Sequence, residues 1–162
     1  MTLTPRRSTW VIVLSLLLGV LLTVMPVPDW ARLYRPQWAA IVLTYWALAL
    51  PQRVGVGVGW VVGIVLDALT GTLLGQHALG LSLVAWITVK THQRVRVFPV
   101  WQQAWFVLSL LLLDRAVSVL AMGASGRSTP GHEYWVAALF GAALWPWAFV
   151  VLRDLRRRFR VS

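Results

Sequence analysis

Apolar residues gather into six blocks, at about 10–27, 33–50, 54–74, 77–91, 101–122 and 134–152, with most polar residues between them. Helix breakers mark the joints: Pro26 and Pro28, Pro51, the short Gly75-Gln76-His77 link, Pro99, and the polar loop 123–133. About 20 apolar residues cross a hydrocarbon core of roughly 30 Å as a helix. The pattern therefore predicts an all-α integral membrane protein, a six-transmembrane-helix bundle forming one domain over 1–162. Trp10, Trp30, Trp38, Trp101 and Trp135 stand near block ends, where interfacial anchors are expected. The second block is short, its apolar part covering only 38–50. At about 1.5 Å per residue this gives roughly 20 Å. Two remedies are open: a start near Leu33 with Arg35 snorkelling to the interface, or a locally thinned bilayer.

Composition supports the membrane class. The 162 residues are 59% hydrophobic and 12% charged, against about 45–50% and about 25% in ordinary soluble domains. No stretch is long and polar enough for a separate soluble domain. The absence of cysteine excludes disulfides, thiolate metal sites and a cysteine nucleophile. The formal charge of +10 raises nucleic acid as a partner, but the basic residues flank apolar blocks, so membrane orientation accounts for them and no nucleic acid is expected. Arg6 and Arg7 precede the first block in the manner of a signal peptide. No small-residue cleavage site follows, which predicts a retained span.

Six crossings with both termini in the cytoplasm put Arg6, Arg7, Arg53, Lys90, Arg94, Arg96, Arg153, Arg156, Arg157, Arg158 and Arg160 inside. Only Arg32, Arg35 and Arg127 then face outward. Were the second block not to cross, Lys90, Arg94 and Arg96 would oppose the basic tail, against the positive-inside tendency.

The third block carries the sharpest pattern. Gly55, Gly59, Gly63, Asp67, Gly71 and Gly75 recur at every fourth position, one ridge of a helix. Glycines on such a ridge admit a second backbone at close range, in this chain or in a partner. Successive members drift by about 40°, so the row winds around the helix and one partner does not cover it all. Asp67 lies deep in hydrocarbon, where a charge needs a mate. Arg115, in a block running the same way, reaches the same depth, which predicts an Asp67–Arg115 pair with Asp114 beside it. That pair reads either as a polar site for an ion or partner or as a structural lock.

His77 reads as a hydrogen-bonding residue at a helix start, since no second metal ligand has suitable spacing. His92 belongs to the basic cytoplasmic loop and His132 to the outer loop. With no nucleophile elbow, phosphate-binding glycine loop or zinc motif, neither catalysis nor a cofactor is expected. The basic residues Lys90, Arg94, Arg96, Arg153, Arg156, Arg157, Arg158 and Arg160 fix topology, with contact to anionic membrane lipids as a second role.

The stretch LALPQRVGVGVGWVVGIVLDALTGTLLGQHALGLSLVAWITVKTHQRVRVFPVWQQA, from Leu48 to Ala104, resembles the core of MreD, the bacterial rod-shape-determining membrane protein. Arg35-Pro36-Gln37-Trp38 resembles the start of that family's second segment, and Gly63, Asp67, Gly71 and Gly75-Gln76-His77-Ala78 are the most specific part. The resemblance implies a multi-pass protein of the bacterial inner membrane in the cell-wall elongation machinery. It implies MreC as partner, a protein with one membrane span and a periplasmic region, together with MreB, RodZ, RodA and its transpeptidase. It also implies a fold similar to the S components of energy-coupling-factor transporters. The function this implies is a non-enzymatic scaffold that binds MreC and helps to regulate peptidoglycan synthesis and cell shape; no transport activity follows from the fold likeness, and a small-molecule-binding transporter subunit using Asp67 and Arg115 stands as the alternative.

Overall fold

A computed structural model describes residues 9–128 and 130–161, so Arg6 and Arg7 lie outside the described residues. Those residues form six α-helices and no strand: α1 (Thr9–Val24), α2 (Trp38–Ala49), α3 (Val56–Thr70), α4 (Gln76–Val95), α5 (Val100–Ala124) and α6 (Glu133–Arg158). A short 3-10 helix, Asp29–Tyr34, joins α1 to α2. The breaks follow local chemistry. Pro26 and Pro28 follow α1, Pro51 follows α2, and Pro99 precedes α5, where a missing N–H is harmless. α3 stops at Gly71, which takes the left-handed conformation (φ 68°) that a side chain disfavours.

The second block behaves differently from expectation. Its α-helix starts at Trp38 and not near Leu33, because the preceding residues form the 3-10 helix and an irregular segment through Pro36. Arg35 does not extend α2; its guanidinium donates to the Met25 carbonyl. α2 is short because it is the interior of the bundle. Every residue from Ala39 to Leu48 is buried, and α2 packs against α1, α4 and α6. A helix apolar all round is kept from water, either by other helices, as here, or by lipid.

Being enclosed, α2 borrows its caps from other elements. At its start, the Ala39 N–H donates to Thr23 Oγ1 at 3.1 Å. At its end, Arg96 Nε and Nη2 donate to the Leu48 and Ala49 carbonyls, both at 2.8 Å. These are among the terminal groups that a helix cannot satisfy itself. At mid-helix, the Trp46 indole donates to Ser15 Oγ at 2.7 Å.

Consecutive helices run back and forth. Trp10 meets Phe159 edge-to-face with ring centroids 5.1 Å apart, so the start of α1 and the end of α6 share one end of the bundle. The α2 C-terminus and Arg96 lie at this same arginine-rich end. Of the six helices, α5 and α6 are long and apolar enough to cross a membrane by themselves; α1, α2 and α3 are shorter apolar helices. Many large apolar side chains face outward, among them Leu18, Val61, Trp105, Leu120 and Trp147.

Replacing Arg96 with Gln is expected to lower stability by about 1 kcal/mol, the usual range for a lost helix cap, with Lys recovering part of it. Thermal unfolding in detergent reads the difference; an unchanged transition would remove Arg96 from its capping role.

Candidate functional site

Two members of the every-fourth row, Gly59 and Gly63, lie in the seam between α3 and α4. A Cβ on Gly59 would lie 2.7 Å from the Leu81 carbonyl oxygen, and one on Gly63 would lie 2.6 Å from the His77 carbonyl carbon. Only glycine permits these approaches. One turn further on, Asp67 meets the start of α4, and its carboxylate is saturated there. Oδ2 accepts from the Gly75 N–H at 2.9 Å and the Ala78 N–H at 3.4 Å. Oδ1 accepts from the His77 N–H at 2.9 Å and the Thr72 hydroxyl at 2.8 Å, and pairs with His77 Nδ1 at 2.8 Å. Asp67 thus caps the following helix, where exposed N–H groups and the helix dipole favour an anion.

The remaining glycines of the row do other work. Gly71 and Gly75, with φ of 68° and 102°, shape the connection that folds α4 back onto α3. Gly55 precedes α3, and a Cβ there would make only an ordinary contact, 4.0 Å from the Pro51 carbonyl oxygen. The members facing a helix therefore face one inside this chain.

The expected Asp67–Arg115 pair is not formed. α4 packs between α3 and α5, and the partners of Asp67 come from the α3–α4 connection and the start of α4 instead. Arg115 stacks on Tyr134, its guanidinium carbon 4.1 Å from the ring centroid, and Nη2 donates to the Arg35 carbonyl at 3.4 Å. Asp114, 4% exposed, accepts from Gln37 Nε2, while its Oδ1 lies against Gly80, where a Cβ would collide with it. His77 takes the helix-start role that its position suggests.

These groups border a cavity of about 230 Å³, lined among others by Gln37, Thr72, Gln76, His77, Asp114 and Arg115. Gln37 Oε1, Gln76 Oε1, Asp114 Oδ1 and Arg115 Nε find no hydrogen-bond partner among the described residues. Small-molecule sites commonly measure about 300–1,000 Å³, so this volume suits water or a small polar solute better than a vitamin-sized ligand. Among the described residues, no three His, Asp or Glu side chains converge as a metal site.

The basic residues divide into two sets. Arg96, Arg153, Arg156, Arg157 and Arg160 line one cavity at the arginine-rich end. Lys90 instead stands 4.6 Å over the Trp86 ring, and Arg94 and Arg158 are exposed outside the cavity. Gln37, Thr72, Gln76, Gly80 and Tyr134 were not singled out from sequence as site residues. The usable signal for Gln37 and Gln76 was an amide placed at the edge of an apolar block.

Comparison with known proteins gives one consistent answer. The family model described as rod shape-determining protein MreD matches residues 5–155. The rod shape-determining protein MreD of Haemophilus influenzae is 29% identical over 153 residues, covering 94% of each chain. No solved structure matches.

The seam predicts opposite outcomes for neighbouring glycines. Gly63→Ala should destabilise by about 2 kcal/mol or more through overpacking against backbone. Gly57→Ala, with nothing within 4 Å of its added methyl, should be neutral or stabilising by up to about 1 kcal/mol. In double-mutant cycles of thermal stability, Asp67→Asn and His77→Ala should couple by roughly 0.5–3 kcal/mol. Asp67→Asn and Arg115→Gln should add to within about 0.5 kcal/mol; strong coupling there would restore the direct pair.

Proposed function

Because the chain belongs to the MreD family of rod shape-determining proteins, we propose that it is a non-enzymatic component of the cell-wall elongation machinery. In this reading it sits in the bacterial inner membrane, binds MreC, and helps to regulate peptidoglycan synthesis and cell shape. MreB, RodZ, RodA and its transpeptidase join as partners by family resemblance. The family match across nearly the whole chain carries the reading.

The bundle supports a multi-pass placement. Outward apolar side chains suit lipid, and the arginine-rich end suits the cytoplasmic face under the positive-inside tendency. Six crossings are compatible with a 12-residue α2, because a helix enclosed by its neighbours has little hydrocarbon to match. A fold like that of transporter S components remains an implication of the resemblance, and the small volume beside Asp114 and Arg115 favours the scaffold over a vitamin-binding subunit.

The contact for a single-span partner is assigned to the groove between α1 and α3. This wholly apolar trough of about 570 Å³ is lined by Val13, Leu17, Val20, Gly57, Val61 and Val65. Gly57 leaves its floor open, on a different face of α3 from Gly59 and Gly63. A small residue beneath valines lets a second helix approach closely, the usual basis of association within lipid.

Detergent co-purification with MreC tests both levels. Filling the groove with Gly57→Phe and Val61→Trp should abolish recovery of MreC from folded protein, whereas Leu120→Trp on exposed α5 should leave it intact. Retention of MreC by the filled variant would move the interface elsewhere. Failure of the unaltered protein to bring down MreC would overturn the partner assignment.

A further inference from the structure

The cavity at the arginine-rich end has a volume of about 500 Å³ and contains five guanidinium groups, from Arg96, Arg153, Arg156, Arg157 and Arg160. No acidic residue lines it, and among the described residues none of the five forms an ion pair with a carboxylate. Asp154, in the same turn of α6, is exposed and lies outside the lining.

Two of the five are committed to the fold in part. Arg96 caps α2, and Arg156 Nε donates to the Val161 carbonyl at 3.3 Å. Arg153, Arg157 and Arg160 donate no side-chain hydrogen bond among the described residues, and Arg153 Nε is buried without a partner. Instead, Arg153 lies over the Phe149 ring, 5.7 Å from its centroid. Gathering several like charges in one concavity is unfavourable unless an anion neutralises them, and guanidinium forks match phosphate oxygens.

Apart from Gln103, whose amide donates to the Val95 carbonyl at 3.1 Å and accepts from the Trp145 indole at 3.4 Å, the rest of the wall is apolar or aromatic: Tyr45, Leu48, Ala49, Phe149 and Val161. Free inorganic phosphate would leave that wall unused. A phosphate carrying an acyl chain would use both parts. We propose that this cavity is a binding site for the phosphate of an anionic phospholipid, with its chain against the Tyr45–Phe149 wall. The assignment needs only a membrane protein; it is independent of MreC and of the α1–α3 groove.

The test is native mass spectrometry of the delipidated full-length protein titrated with phosphatidylglycerol or with zwitterionic phosphatidylcholine. One phosphatidylglycerol should be retained in preference to phosphatidylcholine. Arg153→Gln, Arg157→Gln and Arg160→Gln together should weaken that binding by about tenfold or more, the scale of one lost charge-assisted contact. Circular dichroism and thermal unfolding establish that the variant is folded; should it not fold, the exposed Arg157→Gln alone should still weaken binding measurably. Triple replacement by Lys should restore only part of the affinity, and Arg127→Gln at the opposite end should change nothing. Equal retention of both lipids, or full binding by folded Gln variants, would overturn the site. Displacement of phosphatidylglycerol by millimolar inorganic phosphate would assign the cavity to a soluble phosphate compound and overturn the lipid reading.

Discussion

The fold turns on one carboxylate. Asp67 is 1% exposed, within a bundle whose outer surface is built for lipid, and its charge is supportable only because the start of α4 is brought to it. Three backbone N–H groups, the Thr72 hydroxyl and the His77 ring surround its two oxygens. Each party satisfies the other: α4 begins with donors that its own turns cannot use, and Asp67 needs donors that hydrocarbon does not supply. Gly59 and Gly63 are the geometric condition for this exchange, since any side chain there would hold α4 away.

With α3 and α4 joined, the rest of the bundle can close around α2. That helix has no polar face and no length to spare, and its ends are finished by Thr23 and Arg96 from outside. The two ends of the bundle consequently differ in electrostatic state. At one, Asp67 and His77 pair, Asp114 receives Gln37, and Arg115 stacks on Tyr134. At the other, five arginines line a cavity to which no acidic side chain among the described residues contributes. At the first end Gln37 Oε1, Gln76 Oε1, Asp114 Oδ1 and Arg115 Nε are buried without a partner among the described residues, whereas the second end gathers cationic groups alone.

Much of this was legible in the chain. The expected blocks 101–122 and 134–152 correspond to α5 and α6, and 77–91 falls within α4, because long apolar runs between breakers have few alternatives to a helix. Of the glycine row, only Gly59 and Gly63 meet another helix closely, and Asp67 was legible as a charge that must be met. Errors arose where one expectation depended on another helix. α2 was extended toward Leu33 to match a bilayer that it hardly faces, and Asp67 was matched to Arg115 by depth alone.

The sequence by itself determined the helical class, the approximate positions of the helices, the concentration of arginine beside the ends of α4 and α6, and the family. These depend on composition and local order, which are properties of the chain before it folds. Only the tertiary structure decided that α4 stands between α3 and α5, that Gly57 opens outward while Gly63 faces His77, and that five of the basic residues converge. Helical spacing defines which residues share a face. Which neighbour meets that face depends on how all six helices pack together, and no local pattern encodes that arrangement.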